Sequence, residues 1–220
     1  MSTTPAIPDF VRTFRHPPYR NIYEICPEET YLFGTESLYG DWKNAELLIL
    51  GQDAGPTDEF QKLREAGHPR PFAHREFRPG YPGYDPSLGR GGAGTNETVY
   101  RLAEHVGCAK LYGSALIGLC KPGGAYGAKL PEVSKVRPHC VRVLRWVLDP
   151  AQTPRLRAVM CLGGTADEFA RRALREAPVL QRPVVVFSTP HPAARDRSGK
   201  YDAAISQWRE MAKRMGWSFN

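Results

Sequence analysis

Four short apolar runs constrain this chain more than any other feature: "AELLILG" (45–51), "LYGSALIGLC" (111–120), "LRAVMCLGG" (156–164) and "RPVVVFSTP" (182–190). Each is nearly continuous in aliphatic and aromatic residues, as expected of strands covered on both faces rather than on one. Helical patterns separate and follow them. "TNETVYRLAEHVG" sets Val99, Leu102, Ala103 and Val106 on one face and stops at Gly107. "LPEVSKVRPHCVRVLRWVL" offers Pro131 as a first helical residue, with Pro138 expected to kink or divide it. "TADEFARRALREA" has Thr165 and Glu168 at capping-box spacing, and "YDAAISQWREMAKRMGW" ends at Gly216. Strand and helix alternate, so the sequence predicts an α/β fold: a three-layer doubly wound domain with a four-stranded parallel central sheet and flanking helices. The expected division is an irregular N-terminal lead over 1–20 and a single domain over 21–220, with no internal repeat.

At 220 residues the chain can bury one full core. A net charge of +7 permits an anionic partner, nucleic acid above all. The five cysteines are an odd number and widely spread, which favours thiols in a reducing compartment. The Pro-rich start lacks the apolar core of a signal peptide, and no stretch approaches 18 apolar residues. The expectation is a cytoplasmic, bacterial-type intracellular protein with no membrane partner. Residues 55–94 are rich in Gly, Pro, Arg and aromatics without periodicity, the mark of a long functional or mobile loop.

In open α/β sheets ligands sit outside the carboxyl ends of the strands. Those ends read "GQDAGP", "GLCKPGG", "LGGTADE" and "STPHPAAR". Asp53 stands two residues past the end of the first run and His191 directly follows the end of the fourth, so both project from strand ends toward one crevice. Asp alone is an ordinary turn residue, and a His in a Pro-rich turn is commonly structural. It is their joint placement that points to chemistry.

With these residues in hand, the sequence resembles the uracil-DNA glycosylase superfamily from about Cys26 to the last helix. "GQDAGP" is similar to the first motif of one branch, Gly-Gln-Asp-Pro-Tyr-His, and "HPAAR" (191–195) to its second, His-Pro-Ser-Pro-Leu. "ETYLFGTESLYGDWKNAELLILGQDAG", then "CKPGG", "VRPHC" and "LGGTA", follow the order of the superfamily's iron–sulfur branch. The resemblance implies a monofunctional DNA glycosylase of base excision repair. Such an enzyme hydrolyses the N-glycosidic bond of uracil, and of other deaminated or 5-substituted bases, through a transition state that is cationic on the sugar. It implies that Asp53 stabilises that cation and orients water. His191 would donate a hydrogen bond to the departing base, a contribution of about 3 to 4 kcal/mol for a preorganised donor. The nucleotide must be flipped out of the stack. Gln52, Ala54 and Gly55 would line its pocket, with Phe72, Phe77 or Tyr84 stacking on the base. Arg195 stands where the family carries a wedge for the vacated stack, and it equally suits a phosphate contact beside Arg197 and Lys200. "GRGGAGTNETVY" has GxGxxG spacing without a preceding strand, so no dinucleotide site is expected. Gly94 and Thr95 there suit a helix start that holds a DNA phosphate, or a plain Gly-rich linker.

The chain departs from the family in two places. The iron–sulfur branch holds its cluster with four cysteines, and here Cys26 and Cys120 match two of them while Tyr23 and Val136 stand at the others. Neither replaces a thiolate, so no cluster and no other cofactor is expected. The family also commonly reads uracil with an asparagine at the end of the second strand. Leu116 stands there, with Ser114 two residues away, expected on the same strand face, as the nearest polar substitute. The alternatives are a non-catalytic binder of damaged DNA and an N-glycosyl hydrolase of free nucleosides or nucleotides. A binder needs no water-orienting Asp53, and the basic "RDRSGK" favours a polymer over a small molecule.

Overall fold

The computed structural model describes residues 7–25, 42–52, 102–116, 118–120, 133–176, 183–190 and 200–220, with 61, 65 and 99. In chain order the described elements are α1 (Asp9–Arg12), β1 (Arg20–Asn21), α2 (Ile22–Ile25), β2 (Leu47–Gly51), β3 (Lys110–Ser114), β4 (Leu119–Cys120), α3 (Val133–Leu148), β5 (Ala158–Leu162), α4 (Gly164–Arg175), β6 (Val185–Thr189) and α5 (Lys200–Met215).

Strands β3-β2-β5-β6 form one four-stranded sheet, in that order, and every pair is parallel. Alternate side chains point to opposite faces, so each strand contributes to two cores. Leu48, Leu50, Leu111, Val159 and Cys161 join the cluster built with α3 and α4. Leu47, Ile49, Ala158, Met160 and Leu162 join the cluster built with α5 and with Val99, Leu102, Ala103 and Val106. The protein is thus the three-layer α/β domain read from the sequence. The apolar runs are continuous because both faces of the central strands are covered: β2 and β5 are buried at every position. Edge strand β6 departs from this, with Val185, Val186 and Phe187 half-buried and Ser188 exposed.

Several local expectations are corrected. The run 111–120 is two strands, not one. The chain leaves the large sheet after Ser114, turns through Gly118 in the left-handed region (φ +73), and β4 pairs antiparallel with β1 in a separate two-stranded sheet. Pro138 does not divide α3, which runs unbroken over Val133–Leu148. Pro138 is exposed, as is Ser134, the residue whose carbonyl loses its partner, and water can take up that bond. Thr165 and Glu168 form no capping box, because α4 starts at Gly164 with Gly163 as its cap and no side-chain bond there. Gly163 takes φ 95, a turn out of β5 that a side chain would strain, and Glu168 pairs instead with Arg137 of α3 at 3.0 Å.

The lead expected to be irregular carries α1 and is built into the domain. Ile7, Val11 and Tyr19 are buried in the core. Buried Asn21 ties the segment down, its Nδ2 donating to the carbonyls of Val11 (2.7 Å) and Phe14 (3.1 Å). Gly216 ends α5 as expected: at φ +72 its N–H donates to the Lys213 carbonyl (3.2 Å) and that of Trp217 to the Ala212 carbonyl (2.9 Å), a Schellman pair.

Candidate active site

Strand order places the site. The chain following β2 returns along the α5 face of the sheet, where Val99, Leu102 and Ala103 pack, whereas α4, following β5, lies on the other face. Neighbouring strands whose next helices diverge leave a crevice at their carboxyl ends, the position where open α/β sheets hold ligands. Gly51 and Gln52 border it from β2, and Gly163 and Gly164 border it from β5.

Register sets how far apart the two proposed catalytic residues leave the sheet. Leu50 is level with Cys161, which is level with Ser188. One residue on, Gly51 and Thr189 therefore end their strands at the same height. Two strand spacings, about 10 Å, separate them. Asp53 and His191 are each two residues further along. Both lie outside the described residues, but the strand ends that launch them share one edge and one level.

Each launch point is pinned. The Ala115 N–H donates to the Gly51 carbonyl (2.7 Å) and the Leu116 N–H to the Gln52 carbonyl (2.9 Å), so the bend after β3 grips the exit of β2 up to the residue before Asp53. The Gly163 N–H donates to the Thr189 carbonyl (2.9 Å), holding the end of β6 against the start of α4. Asp167 in the first turn of α4 adds a side-chain tie. It accepts from the Ser188 hydroxyl and takes both its oxygens to Arg171 Nε, at 2.8 and 2.9 Å. Burial pushes the neighbouring Cys161 thiol up in pKa, and Asp167 adds to that, so Cys161 remains a neutral core residue.

The other expected site residues fall as follows. Gln52 is half-buried at the crevice. Ser114 ends β3 in register with Gly51. Leu116, expected at the end of the second strand, lies beyond it in the bend after Ser114, buried in the α3/α4 core at 1% exposure. Lys200 opens α5. Ala54, Gly55, Phe72, Phe77, Tyr84, Gly94, Thr95, Arg195 and Arg197 lie outside the described residues.

Three features escaped the sequence reading. Tyr112 of β3 reaches the end of β2, its hydroxyl 3.8 Å from where a Cβ on Gly51 would be. Asp167 looked like an ordinary first-turn acid, and only the fold brings Ser188 to it. The α4 amino terminus, built from Gly163 and Gly164, turns its first N–H groups toward the carboxyl edge, where an anion is favoured. The pair of glycines was the available signal.

Three of the four cluster-ligand positions, Tyr23, Cys120 and Val136, are buried in the same apolar core. Tyr23 packs its ring at Gly118 and takes Arg12 over its face at 4.9 Å, and Val136 has no donor atom, so this set does not fit an iron–sulfur cluster. Cys26, the fourth position, lies outside the described residues. Among the described residues no three His, Cys, Asp or Glu side chains are grouped to hold a metal ion, and no helix is long and apolar enough to cross a membrane.

No known protein-family profile matches the chain, and no curated protein sequence matches it.

Proposed function

We propose that the chain is a monofunctional DNA glycosylase that hydrolyses the N-glycosidic bond of uracil and related deaminated or 5-substituted bases. The observation that carries this reading is the common level of Gly51 and Thr189 on one sheet edge, two residues ahead of Asp53 and His191. A carboxylate and an imidazole launched about 10 Å apart suit the two ends of a nucleoside, sugar and base. Asp53 holds the water that adds to the sugar C1′ and offsets the positive charge there. The bond to the base breaks with its electron pair on the base, and His191 donates to the oxygen on which that charge collects. The α4 amino terminus, which has no side-chain cap from Gly163, and the net charge of +7 suit a phosphate polymer as substrate. No cofactor is called for by this chemistry, and no step passes through a metal.

The test is a labelled oligonucleotide with one uracil, single- and double-stranded, incubated with the protein and then cleaved with hot alkali. Cleavage by the natural chain but not by Asp53→Asn is expected. Tight binding with no cleavage would replace the reading with a damaged-DNA binder, and neither binding nor cleavage would leave a small-molecule N-glycosyl hydrolase. His191→Ala should lower the single-turnover rate more than DNA affinity, because its donor acts on charge that develops as the bond breaks. Arg195→Ala should do the reverse, with the larger loss on duplex if it is a wedge.

A further inference from the structure

Helix α3 carries Lys135, Arg137, Arg142 and Arg145 and no carboxylate at all. Arg137 is held by Glu168 at 3.0 Å. The other three lie on one outer face: at 100° per residue they fall within about 80° of the circumference, opposite buried Val136, Cys140, Leu144 and Val147. Lys135, Arg142 and Arg145 are exposed. The segment Asp9–Ile25, which packs on this helix through Phe10 and Phe14, adds Arg12, Arg15 and Arg20 against Asp9 and Glu24. With the four cations of α3, and with Glu168 that pairs with Arg137, that is seven positive against three negative groups, a difference of +4 in a chain whose whole net charge is +7. Arg142 stacks its guanidinium 4.0 Å over the Phe10 ring. The contact orders the side chain without neutralising it and leaves its N–H edge for an anion.

Repulsion between like charges on one helix face destabilises the folded chain. The helix supplies no carboxylate of its own to offset them, and an outer face of that composition fits an extended polyanion. Lys135 to Arg145 spans about 15 Å of helix axis, along which one strand of B-form DNA presents about four phosphates. The face is also not the candidate active site. From Leu148 the chain passes through Asp149–Arg157 to the amino end of β5, so α3 runs down the side of the domain from the carboxyl edge toward the amino edge, which sets Arg142 and Arg145 away from that site. We propose that the outer face of α3, through Lys135, Arg142 and Arg145, is a second contact surface that grips the phosphate backbone of duplex DNA outside the base-excision site. The proposal rests on the DNA substrate proposed above. Its role is sequence-independent: it raises duplex affinity and holds the protein on undamaged DNA between target bases.

The experiment measures binding to an undamaged duplex of about 20 base pairs by fluorescence anisotropy across a salt series, with single-turnover base release from a uracil duplex at saturating protein alongside. Lys135→Gln/Arg142→Gln/Arg145→Gln should lower the slope of log K against log salt by about 2 to 3, near 0.9 per lost phosphate contact. It should leave the saturated rate unchanged. Arg145→Gln alone, which disturbs no stacking contact, should lower the slope by about 0.9. The matched control Arg209→Gln/Lys213→Gln/Arg214→Gln on α5 removes the same charge from the other side and should lower the slope by less than 1. An unchanged slope in the α3 variants, or equal losses from both triple variants, overturns the proposal. So does weaker binding of the α3 triple variant to phosphatidylserine vesicles with duplex binding intact, which would assign the face to a membrane surface. The two readings separate cleanly. A slope effect without base release by the natural chain would sink the glycosylase but not this surface, and base release with an unaltered slope would do the opposite.

Discussion

His139 should make the stability of this protein fall as pH drops below neutrality, and His139→Phe should remove that fall. The imidazole lies parallel to the Phe14 ring, 3.6 Å between centroids, and meets Phe10 edge-on at 6.3 Å. Its Nε2 is buried with no hydrogen-bond partner, as is Nε2 of His16, whose ring stacks near Phe14 at 6.4 Å. Burial, with Arg142 on the same helix, pushes His139 from the ordinary 6.5 down to about 4. The folded state therefore holds the neutral ring, while the unfolded chain takes up a proton below about pH 6.5. Stability is complete above that pH, declines as pH falls from 6.5 toward 4, and has lost the full contribution below 4. At 1.36 kcal/mol per pKa unit the upper limit is about 3 kcal/mol, and because His139 is only half-buried about 1 to 2 kcal/mol is the working figure. The assay is urea unfolding at pH 5.0 to 7.5, comparing the natural chain with His139→Phe, which keeps an aromatic ring in the stack and cannot titrate. Carboxylates affect both proteins alike and cancel in the difference. The gap between the two stabilities should change by about 1 to 2 kcal/mol over that range, in favour of the variant at low pH. Two parallel curves would refute the reasoning. They would mean that the ring meets water freely, and that the lead segment does not seal it against α3.

Four other outcomes follow from the geometry. Gly216→Ala should cost about 1 kcal/mol, read as a lower thermal midpoint, because φ +72 strains a side chain although a Cβ would meet nothing within 4 Å. Cys108, whose thiol burial pushes up to about 12, should alkylate far more slowly at pH 8 in the native protein than in urea, by mass spectrometry of its peptide, and equal rates would contradict that burial. Asp167→Asn should lower single-turnover base release several-fold while shifting the thermal midpoint little, since its contacts are partly exposed but hold the strand end leading to His191, and Asp167→Glu should restore part of the rate. Base choice should be broad. Gly55 stands where the motif that "GQDAGP" resembles has a tyrosine and Leu116 is packed in the core, so rates on 5-hydroxymethyluracil or hypoxanthine should come within a thousandfold of that on uracil, and a wider gap would reveal a wall made by other residues.

The sequence alone determined the layer architecture, because four aliphatic runs too short for helices and too continuous for one-sided strands can be satisfied only inside a sheet covered on both faces. It also marked the strand ends as the place for Asp53 and His191, since Gly51 and Pro190 stop the runs beside them. Gly216 was legible as a stop for a purely local reason: the left-handed cap depends on one residue and two nearby carbonyls. What the sequence could not decide depends on partners distant along the chain. Thr165 and Glu168 have the spacing of a capping box, but Gly163 is drawn to the Thr189 carbonyl and Glu168 to Arg137, so the helix starts earlier. Pro138 reads locally as a break, but packing of the α3 apolar stripe outweighs one lost hydrogen bond on the exposed side. The run 111–120 is uniform in composition, and only the arrival of β1 at Leu119 and Cys120 splits it into strands of two sheets. The level ends of β2 and β6, the Asp167–Ser188 tie and the shielding of His139 by Phe10 and Phe14 are likewise tertiary facts. Periodicity reports how a segment is buried but not which distant segment buries it, and register between strands far apart in sequence is set by whole-sheet packing.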